Sequence, residues 1–351
     1  MARVHEAIRK IEPHDSIERY QDLGVEVLQG YAKLIDPWTV EIKHNSGEIQ
    51  RLTSRAIVLA TGAQPFVPPL PGIEETGYLT SDTMWDELAQ QDHAPKRLLV
   101  LGGGPIGCEL AQSFARLGSQ VTQHQGEEIS IEFDTLLCAV GRVARLKGYG
   151  LEDIGIETDR TIVTNDYLET LYPNIYAAGD VAGPYQFTHT AAHQAWYAAV
   201  NALFGHFKKF KVDYRVIPWT TFIDPEVARV GLNEQEAKEK GIAVEVTRYG
   251  LDDLDRAIAD SAAKGFVKVL TAPGKDRILG VTIVGEHSGD LLAEFVLAMK
   301  HGLGLNKILG TIHAYPTWAE ANKYAAGEWK RAHAPQNVLR WLAKYHTWRR
   351  G

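Results

Sequence analysis

The sequence predicts an α/β protein in which short parallel strands alternate with helices, followed by a separate α+β unit. Apolar runs within residues 55–63, 135–140 and 174–178 each end on glycine, as strands of a parallel sheet do beside a ligand site. Residues 97–123 give the order strand, glycine turn, helix, strand. Near residue 212 the composition changes to alternating strands with a hairpin around Pro273-Gly274.

Length and composition limit the classes of protein to which the chain can belong. Its 351 residues, 45% of them hydrophobic, are enough to bury several cores, so two or three domains are expected. The formal charge of −7 argues against a nucleic acid partner. Because no run reaches the roughly 18 apolar residues of a membrane span, we expect a cytoplasmic protein without a transmembrane segment.

A glycine motif after the strand of residues 97–101 predicts a dinucleotide site. Gly102, Gly104 and Gly107 form G-x-G-x-x-G at the start of a helix, where backbone amides can face a pyrophosphate. Gly118 is placed to end that helix as a left-handed cap. The helix has one apolar face, formed by Ile106, Leu110, Phe114 and Leu117. An acidic residue usually ends the second strand of such a unit, but here that strand ends at Gln123-His124.

A second candidate site lies at the end of the strand of residues 174–178. Gly179 and Asp180 follow this strand directly, which places a carboxylate at the edge of the sheet where ligand hydroxyls bind. The alternative is that Asp180 only caps the segment that follows. Cys108 and Cys138 form no Cys-x-x-Cys pair, so both are expected to be small buried hydrophobic residues. No metal site is predicted.

The order of the motifs resembles that of the pyridine nucleotide-disulfide oxidoreductases over about residues 1–330. The motifs are ATGA, GGGPIGCELA, AVGR, NIYAAGDV, DPEVARVGL, ILGVTIVG and YPTWAE. The resemblance is to the branch of dihydrolipoamide dehydrogenase and mercuric reductase. It implies Rossmann-like domains for FAD and NAD(P)H, a C-terminal dimerisation domain, and a homodimeric flavoprotein that passes electrons from NAD(P)H through FAD to an acceptor.

The resemblance also assigns residues. Thr61, Gly62, Gly179 and Asp180 would lie on the flavin side. The motif from Gly102 to Gly107, with Glu109, would bind NAD(P)H, and Gly141 with Arg142 of AVGR would belong to the cofactor site. The implied domains are FAD-binding parts at 1–92 and 144–211, a shortened NAD(P)-binding part at 93–143, a dimerisation domain at 212–332 and a helical tail at 333–351.

Tyr315 and Glu320 stand where many members of this family have a catalytic His-Glu pair. Mercuric reductases resemble this chain in having tyrosine at that point. A phenol with a pKa near 10 is a poor general base at neutral pH, although it can donate a hydrogen bond. An interface tyrosine with a capping glutamate is an equally good interpretation, and His313 is expected to be a polar neighbour.

Several family features are not found in the sequence. No first glycine motif and no Cys-x4-Cys disulfide precede Thr61, and the segment around Gln123-His124 is too short for two βαβ crossovers. A non-catalytic, dimeric nucleotide-binding or assembly protein is therefore the alternative to an enzyme.

The tail beyond residue 336 has an apolar stripe beside positive charges. The stripe consists of Val338, Trp341, Leu342, Tyr345 and Trp348. The charges are those of Arg340, Lys344, Arg349 and Arg350. We expect this helix to pack on the dimerisation domain, and weak contact with a membrane surface is the alternative.

Overall fold

The computed structural model describes residues 1–122 and 129–351. The chain forms two compact units, Met1–Val212 and Asp213–Gly351. The predicted fold class is confirmed: the first unit contains parallel α/β layers and the second is α+β. The finer division into five segments stays a prediction. Within the described ranges, no helix is both long enough and apolar enough to cross a membrane.

The first unit contains six helices and eleven strands within its described residues. The helices are α1 Ala2–Ile11, α2 Ile17–Asp22, α3 Ile73–Thr76, α4 Met84–Ala89, α5 Pro105–Arg116 and α6 Thr188–Phe204. The strands are β1 Gly30–Asp36, β2 Thr39–His44, β3 Ile49–Thr53, β4 Ile57–Leu59, β5 Ala63–Pro65, β6 Leu79–Thr80, β7 Arg97–Leu101, β8 Gln120–Thr122, β9 Thr135–Cys138, β10 Arg142–Ala144 and β11 Ile175–Ala177.

Two of the sheets in this unit are parallel and are the ones that matter for the candidate site. One has the order β6-β9-β7-β8, and the other pairs β4 with β11. Strand β5 pairs antiparallel with β10, and β1 to β3 form a meander. Separate cores lie under the two parallel sheets, one around Leu98 and Leu137 and one around Leu151 and Ile175.

The helix after the glycine motif follows its predicted pattern except at its end. Phe114 is buried and Gly118 has φ +95°, so the left-handed cap is confirmed. Leu117, predicted on the apolar face, is instead 69% exposed. It occupies the C-cap position, where the chain leaves the helix and the helical periodicity no longer sets the direction of the side chain. The prediction that β8 ends at Gln123-His124 lies outside the described residues.

The second unit is built on one antiparallel sheet. Its strands are β12 Pro218–Thr221, β13 Glu226–Gly231, β14 Glu245–Gly250, β15 Phe266–Thr271 and β16 Ile278–Gly285, in the order β12-β13-β16-β15-β14. The predicted hairpin around Pro273-Gly274 is confirmed, since β15 and β16 pair antiparallel. The helices are α7 Glu234–Glu239, α8 Asp255–Ala259, α9 Ser288–Lys300, α10 Leu305–Leu309, α11 Glu320–Ala332 and α12 Gln336–Arg350.

The tail helix α12 does not do what the sequence predicts. None of its residues is buried, and Trp341 and Trp348 are 62% and 77% exposed. The core of the second unit contains Phe295, Ala321 and Trp329, and it includes no residue of α12. The expectation that α12 packs on the dimerisation domain is therefore wrong for the single chain.

Candidate functional site

One cavity of about 660 Å³ brings together residues from three segments that lie far apart in the sequence. Gly62, Arg142, Gly179 and Asp180 all line it. The other lining residues are Ala60, Ala178, Gln186, Thr188, Ala191, Ala192 and Ala195. The walls are thus small side chains and backbone, with one guanidinium and one carboxylate, which leaves room for a ligand that approaches the main chain closely.

The parallel pairing of β4 with β11 explains why these residues meet. Leu59 is opposite Ala177 in the register, and the Ala178 amide donates to the Leu59 carbonyl at 2.9 Å. Both strands end at the same edge, so Thr61-Gly62 and Gly179-Asp180 follow side by side. The carboxyl edge of a parallel sheet is where ligands bind in such folds.

The turn after β4 is fixed by the segment that follows β10. The Thr61 hydroxyl donates to the Arg145 carbonyl at 3.3 Å and lies 3.0 Å from the Tyr149 hydroxyl, while the Arg145 amide donates to the Gly62 carbonyl at 3.0 Å. Gly62 has φ +69°, a conformation that favours glycine. Burial raises the pKa of Tyr149, so its hydroxyl stays protonated and donates to the Arg145 carbonyl.

A second cavity, of about 680 Å³, shares this turn. Its lining includes Thr61 and Tyr149 as well as two basic residues, Arg145 and Lys147. The remaining lining residues are Gly30, Tyr31, Ala32, Gln64, Ala144 and Leu146. The Thr61-Gly62 turn therefore has a cavity on each side, an arrangement that suits a long ligand with two chemically different ends.

The side chain of Asp180 is a carboxylate without a bonding partner in the described parts of the protein. It is half-buried at the cavity wall, and it makes no hydrogen bond or ion pair with any residue of the two described ranges. Next to it, Gly179 has φ +80°, and its amide donates to Gln194 Oε1 at 2.6 Å. The carboxylate faces the open cavity, which leaves it available to accept hydrogen bonds from ligand hydroxyls. The geometry fits the role predicted for Asp180.

Arg142 lines the same cavity but is already bound by its own chain. Its guanidinium donates to Asp82 Oδ1 at 3.1 Å, to Ser81 Oγ at 3.2 Å and to the Ala63 carbonyl at 3.0 Å. Gly141, just before it, has φ +125° and accepts a hydrogen bond from Phe66 at 2.9 Å. Arg142 thus connects β10 with β5 and with the start of α4, and it contributes positive charge to the cavity wall.

The glycine motif at the start of α5 has the geometry that its sequence predicts. A Cβ on Gly107 would come within 2.3 Å of the Gly102 carbonyl oxygen, and one on Gly102 would come within 2.4 Å of the Ala139 carbonyl oxygen. Gly104 is the N-cap of α5 and has open space around its Cα. Two of the glycines therefore allow tight packing, and the third leaves the helix N-terminus accessible. Glu109 lies half-buried in the same helix.

The two cysteines do not form a redox pair. Both are free thiols. Cys138 is buried in β9, and burial raises its pKa, which makes the thiolate less accessible. Cys108 is only half-buried, so the expectation that both are buried is correct for Cys138 alone.

Tyr315 and Glu320 lie near each other but do not share a hydrogen bond. The Tyr315 hydroxyl donates to Asp255 Oδ2 at 2.9 Å, and this bond raises the pKa of Tyr315. Tyr315 is 69% exposed. Glu320 is buried, where it accepts from the Thr317 amide at 3.2 Å and from the Tyr324 hydroxyl at 3.2 Å. The arrangement gives Glu320 a capping contact and leaves the phenol of Tyr315 at the surface.

Three residues near these sites carry no sequence motif. Gln194 holds Gly179 from a position fifteen residues away. Asp255 meets Tyr315 across sixty residues. Glu294 accepts from the largely buried His313 at 3.0 Å. Their partners are distant in the sequence, and local patterns carry no signal for such contacts.

Comparisons with known proteins agree with this architecture. A family model described as pyridine nucleotide-disulphide oxidoreductase matches residues 2–129 and 123–195, and the dimerisation domain of the same family matches residues 217–326. The match to the first model is thus in two segments, which overlap over residues 123–129.

Named relatives and a solved structure show the same likeness. Mercuric reductase of Staphylococcus aureus is 33% identical over 89% of this chain, which spans 64% of the length of that protein. Dihydrolipoamide dehydrogenase of Chaetomium thermophilum is 34% identical, with 86% of this chain and 70% of that protein covered. A copper(II) complex of the HOCl-induced flavoprotein disulfide reductase RclA from Escherichia coli matches at TM-score 0.75 and 25% identity, with 85% of this chain and 78% of that chain covered.

These matches extend over more than half of the chain and include both of its units. Members of the family contain FAD and use NAD(P)H. The chain belongs to the pyridine nucleotide-disulphide oxidoreductase family.

Proposed function

We propose that the protein is an FAD-dependent, NAD(P)H-linked oxidoreductase of the mercuric reductase and dihydrolipoamide dehydrogenase type. The observation that supports this most strongly is the cavity in which Asp180, Gly179, Gly62 and Arg142 meet. The family relationship agrees with a redox function.

The residues of this cavity fit the chemistry of FAD. Asp180 would accept hydrogen bonds from ligand hydroxyls, because its carboxylate has no partner in the described parts of the chain. The backbone at Gly62 and Gly179 would allow close approach of a flat ring or a chain of hydroxyl groups. Arg145 and Lys147 in the second cavity would face the anionic part of the dinucleotide. When bound, FAD would supply the capacity to accept a hydride equivalent and to pass on electrons.

The start of α5 would hold the reduced nicotinamide dinucleotide. Its first amides and the positive end of the helix dipole would bind the pyrophosphate beside Gly104, where no side chain blocks the approach. Glu109, one turn into the helix, would contribute to the same site.

Tyr315 would act in the second unit as a hydrogen-bond donor and not as a base. Its bond to Asp255 raises the pKa of the phenol, so the proton is held on the oxygen at neutral pH. Glu320 would position the residues before α11 through its bond to the Thr317 amide.

The protein would work as a homodimer, because it carries the dimerisation domain of the family over residues 217–326. The tail helix α12 would add a weak contact with a membrane surface, since none of its residues is buried in the chain.

The visible absorption spectrum tests the proposed activity. Purified protein saturated with FAD should show flavin bands that NADH or NADPH bleaches under anaerobic conditions. A protein that binds FAD but is not reduced by either nucleotide would favour the non-catalytic, nucleotide-binding alternative.

A further inference from the structure

The charge of α12 is opposite to that of the remainder of the protein. The helix contains four basic residues and no acidic one, while the chain as a whole carries −7, which leaves −11 for the rest. The basic residues are Arg340, Lys344, Arg349 and Arg350. None of the four forms an ion pair with a carboxylate of the described residues. The helix thus carries a local positive charge that no ion pair with the described residues neutralises, although the rest of the protein is acidic.

The aromatic residues of α12 form one continuous group on the helix. The rings of Trp341 and Tyr345 stack with centroids 5.7 Å apart, and Trp348 lies 6.1 Å from Tyr345. Val338, on the same side by helical spacing, is 50% exposed. Apolar side chains of this size are expensive to leave in water, so the group is suited to a partner that removes it from solvent.

The combination of these two features identifies the kind of partner. Tryptophan and tyrosine are the residues that prefer the boundary between lipid headgroups and acyl chains, and arginine and lysine beside them attract anionic headgroups. His346, Arg349 and Arg350 also line one open depression on this helix, so their side chains face the same region of solvent. The helix lies beyond residues 217–326, the segment that matches the dimerisation domain of the family.

We propose that α12 docks the protein on the surface of an anionic lipid bilayer. The aromatic group would enter the headgroup boundary with the helix parallel to the membrane plane, and the four cations would contact lipid phosphates. This inference does not depend on the proposed redox activity, because it concerns a helix that contributes no residue to either cavity near Thr61.

Vesicle sedimentation with the full chain tests the proposal. The probes are phosphatidylcholine vesicles and phosphatidylcholine vesicles with about a third phosphatidylglycerol. We expect binding to the anionic vesicles alone, and we expect added salt to weaken it because the charges lie at the surface. Replacing the four basic residues by glutamine should weaken binding about 100-fold or more. Trp341→Ser with Trp348→Ser should weaken it without changing its dependence on salt.

A matched variant separates the local effect of α12 from the effect of net charge. Lys238, Lys240, Lys264 and Lys275 are exposed lysines of the second unit that form no ion pair with the described residues. Replacing these four by glutamine changes the net charge equally and should leave binding to vesicles unchanged. The proposal is overturned if the two fourfold variants bind alike. It is also overturned if the α12 variants bind vesicles like the unaltered chain. If those variants are in addition monomers where the unaltered chain is a dimer, α12 packs on a second copy instead of on a membrane.

Discussion

The side-chain oxygen of Gln194 accepts a hydrogen bond from the Gly179 amide at 2.6 Å, and its side-chain nitrogen donates to the Gly183 carbonyl at 2.6 Å. Gln194 is completely buried in α6. One amide group therefore holds both ends of the turn that carries Asp180. The position of the Asp180 carboxylate therefore depends on Gln194, a buried, uncharged residue behind the turn.

Replacing Gln194 by leucine should disturb the turn. The substitution leaves a backbone amide and a carbonyl without this partner inside the protein, so we expect a loss of about 2 kcal/mol or more of unfolding free energy. The affinity for FAD should also fall, because the same turn carries Asp180. Denaturant unfolding of Gln194→Leu against the exposed control Gln90→Leu measures the effect; equal stability of the two variants would show that the bond does not hold the turn.

The glycine motif gives a pair of variants with different expected outcomes. Gly107→Ala places a Cβ 2.3 Å from the Gly102 carbonyl, so the start of α5 must shift and the thermal midpoint should fall. Gly104→Ala meets nothing within 4 Å and should preserve stability. Because its methyl group would lie at the N-cap of α5, it should weaken NAD(P)H binding. Nucleotide titration of a fully folded Gly104→Ala variant with unchanged affinity would place the pyrophosphate elsewhere.

Asp255 should control the ionisation of Tyr315. The carboxylate accepts a hydrogen bond from the phenol and thereby raises the pKa of Tyr315, so removal of its charge should lower that pKa toward the ordinary value near 10. The pKa can be measured by NMR titration of ring-labelled tyrosine, with Tyr315→Phe to assign the signal. A pKa that is the same in Asp255→Asn and in the unaltered chain would contradict the contact.

The carboxylate of Asp213 should make stability depend on pH in the acidic range. It lies 2.7 Å from both Arg215 and Lys300, and these hydrogen bonds hold its pKa far below the usual value. A group with a depressed pKa stabilises the fold above its unfolded pKa of about 3.9, and the contribution disappears as the pH falls below that value.

Asp213→Asn should therefore cost about 1 kcal/mol at neutral pH. The difference from the unaltered chain should shrink below about pH 4. Thermal unfolding at several pH values checks this, with Asp92→Asn as control because that side chain is exposed and forms no ion pair with the described residues. A difference that stays constant down to about pH 2 would exclude the ion pairs as its cause.

The sequence predicted those features that depend on local patterns. Gly118 ends α5 in the left-handed conformation, and the hairpin at Pro273-Gly274 joins β15 to β16, because glycine tolerates a positive φ and proline fixes φ within a few residues.

Long-range contacts and the absence of packing could not be predicted in this way. The bond between Gln194 and Gly179 depends on how α6 is placed over β11, and no periodicity describes that placement. The apolar spacing of α12 is that of a packed helix, yet Trp348 stays 77% exposed, because spacing shows which side chains share a face and not whether a surface exists to cover them.

The measurement that tests the account most directly is the FAD affinity of Asp180→Ala. Asp159→Ala, an exposed residue of the same unit, removes the same charge away from both cavities. If Asp180 binds ligand hydroxyls, its loss should cost about 1.5 to 3 kcal/mol, or roughly 10-fold to 150-fold in affinity. Asp159→Ala should bind FAD like the unaltered chain. Equal affinities of the two variants for FAD would contradict the assignment of this cavity to the flavin.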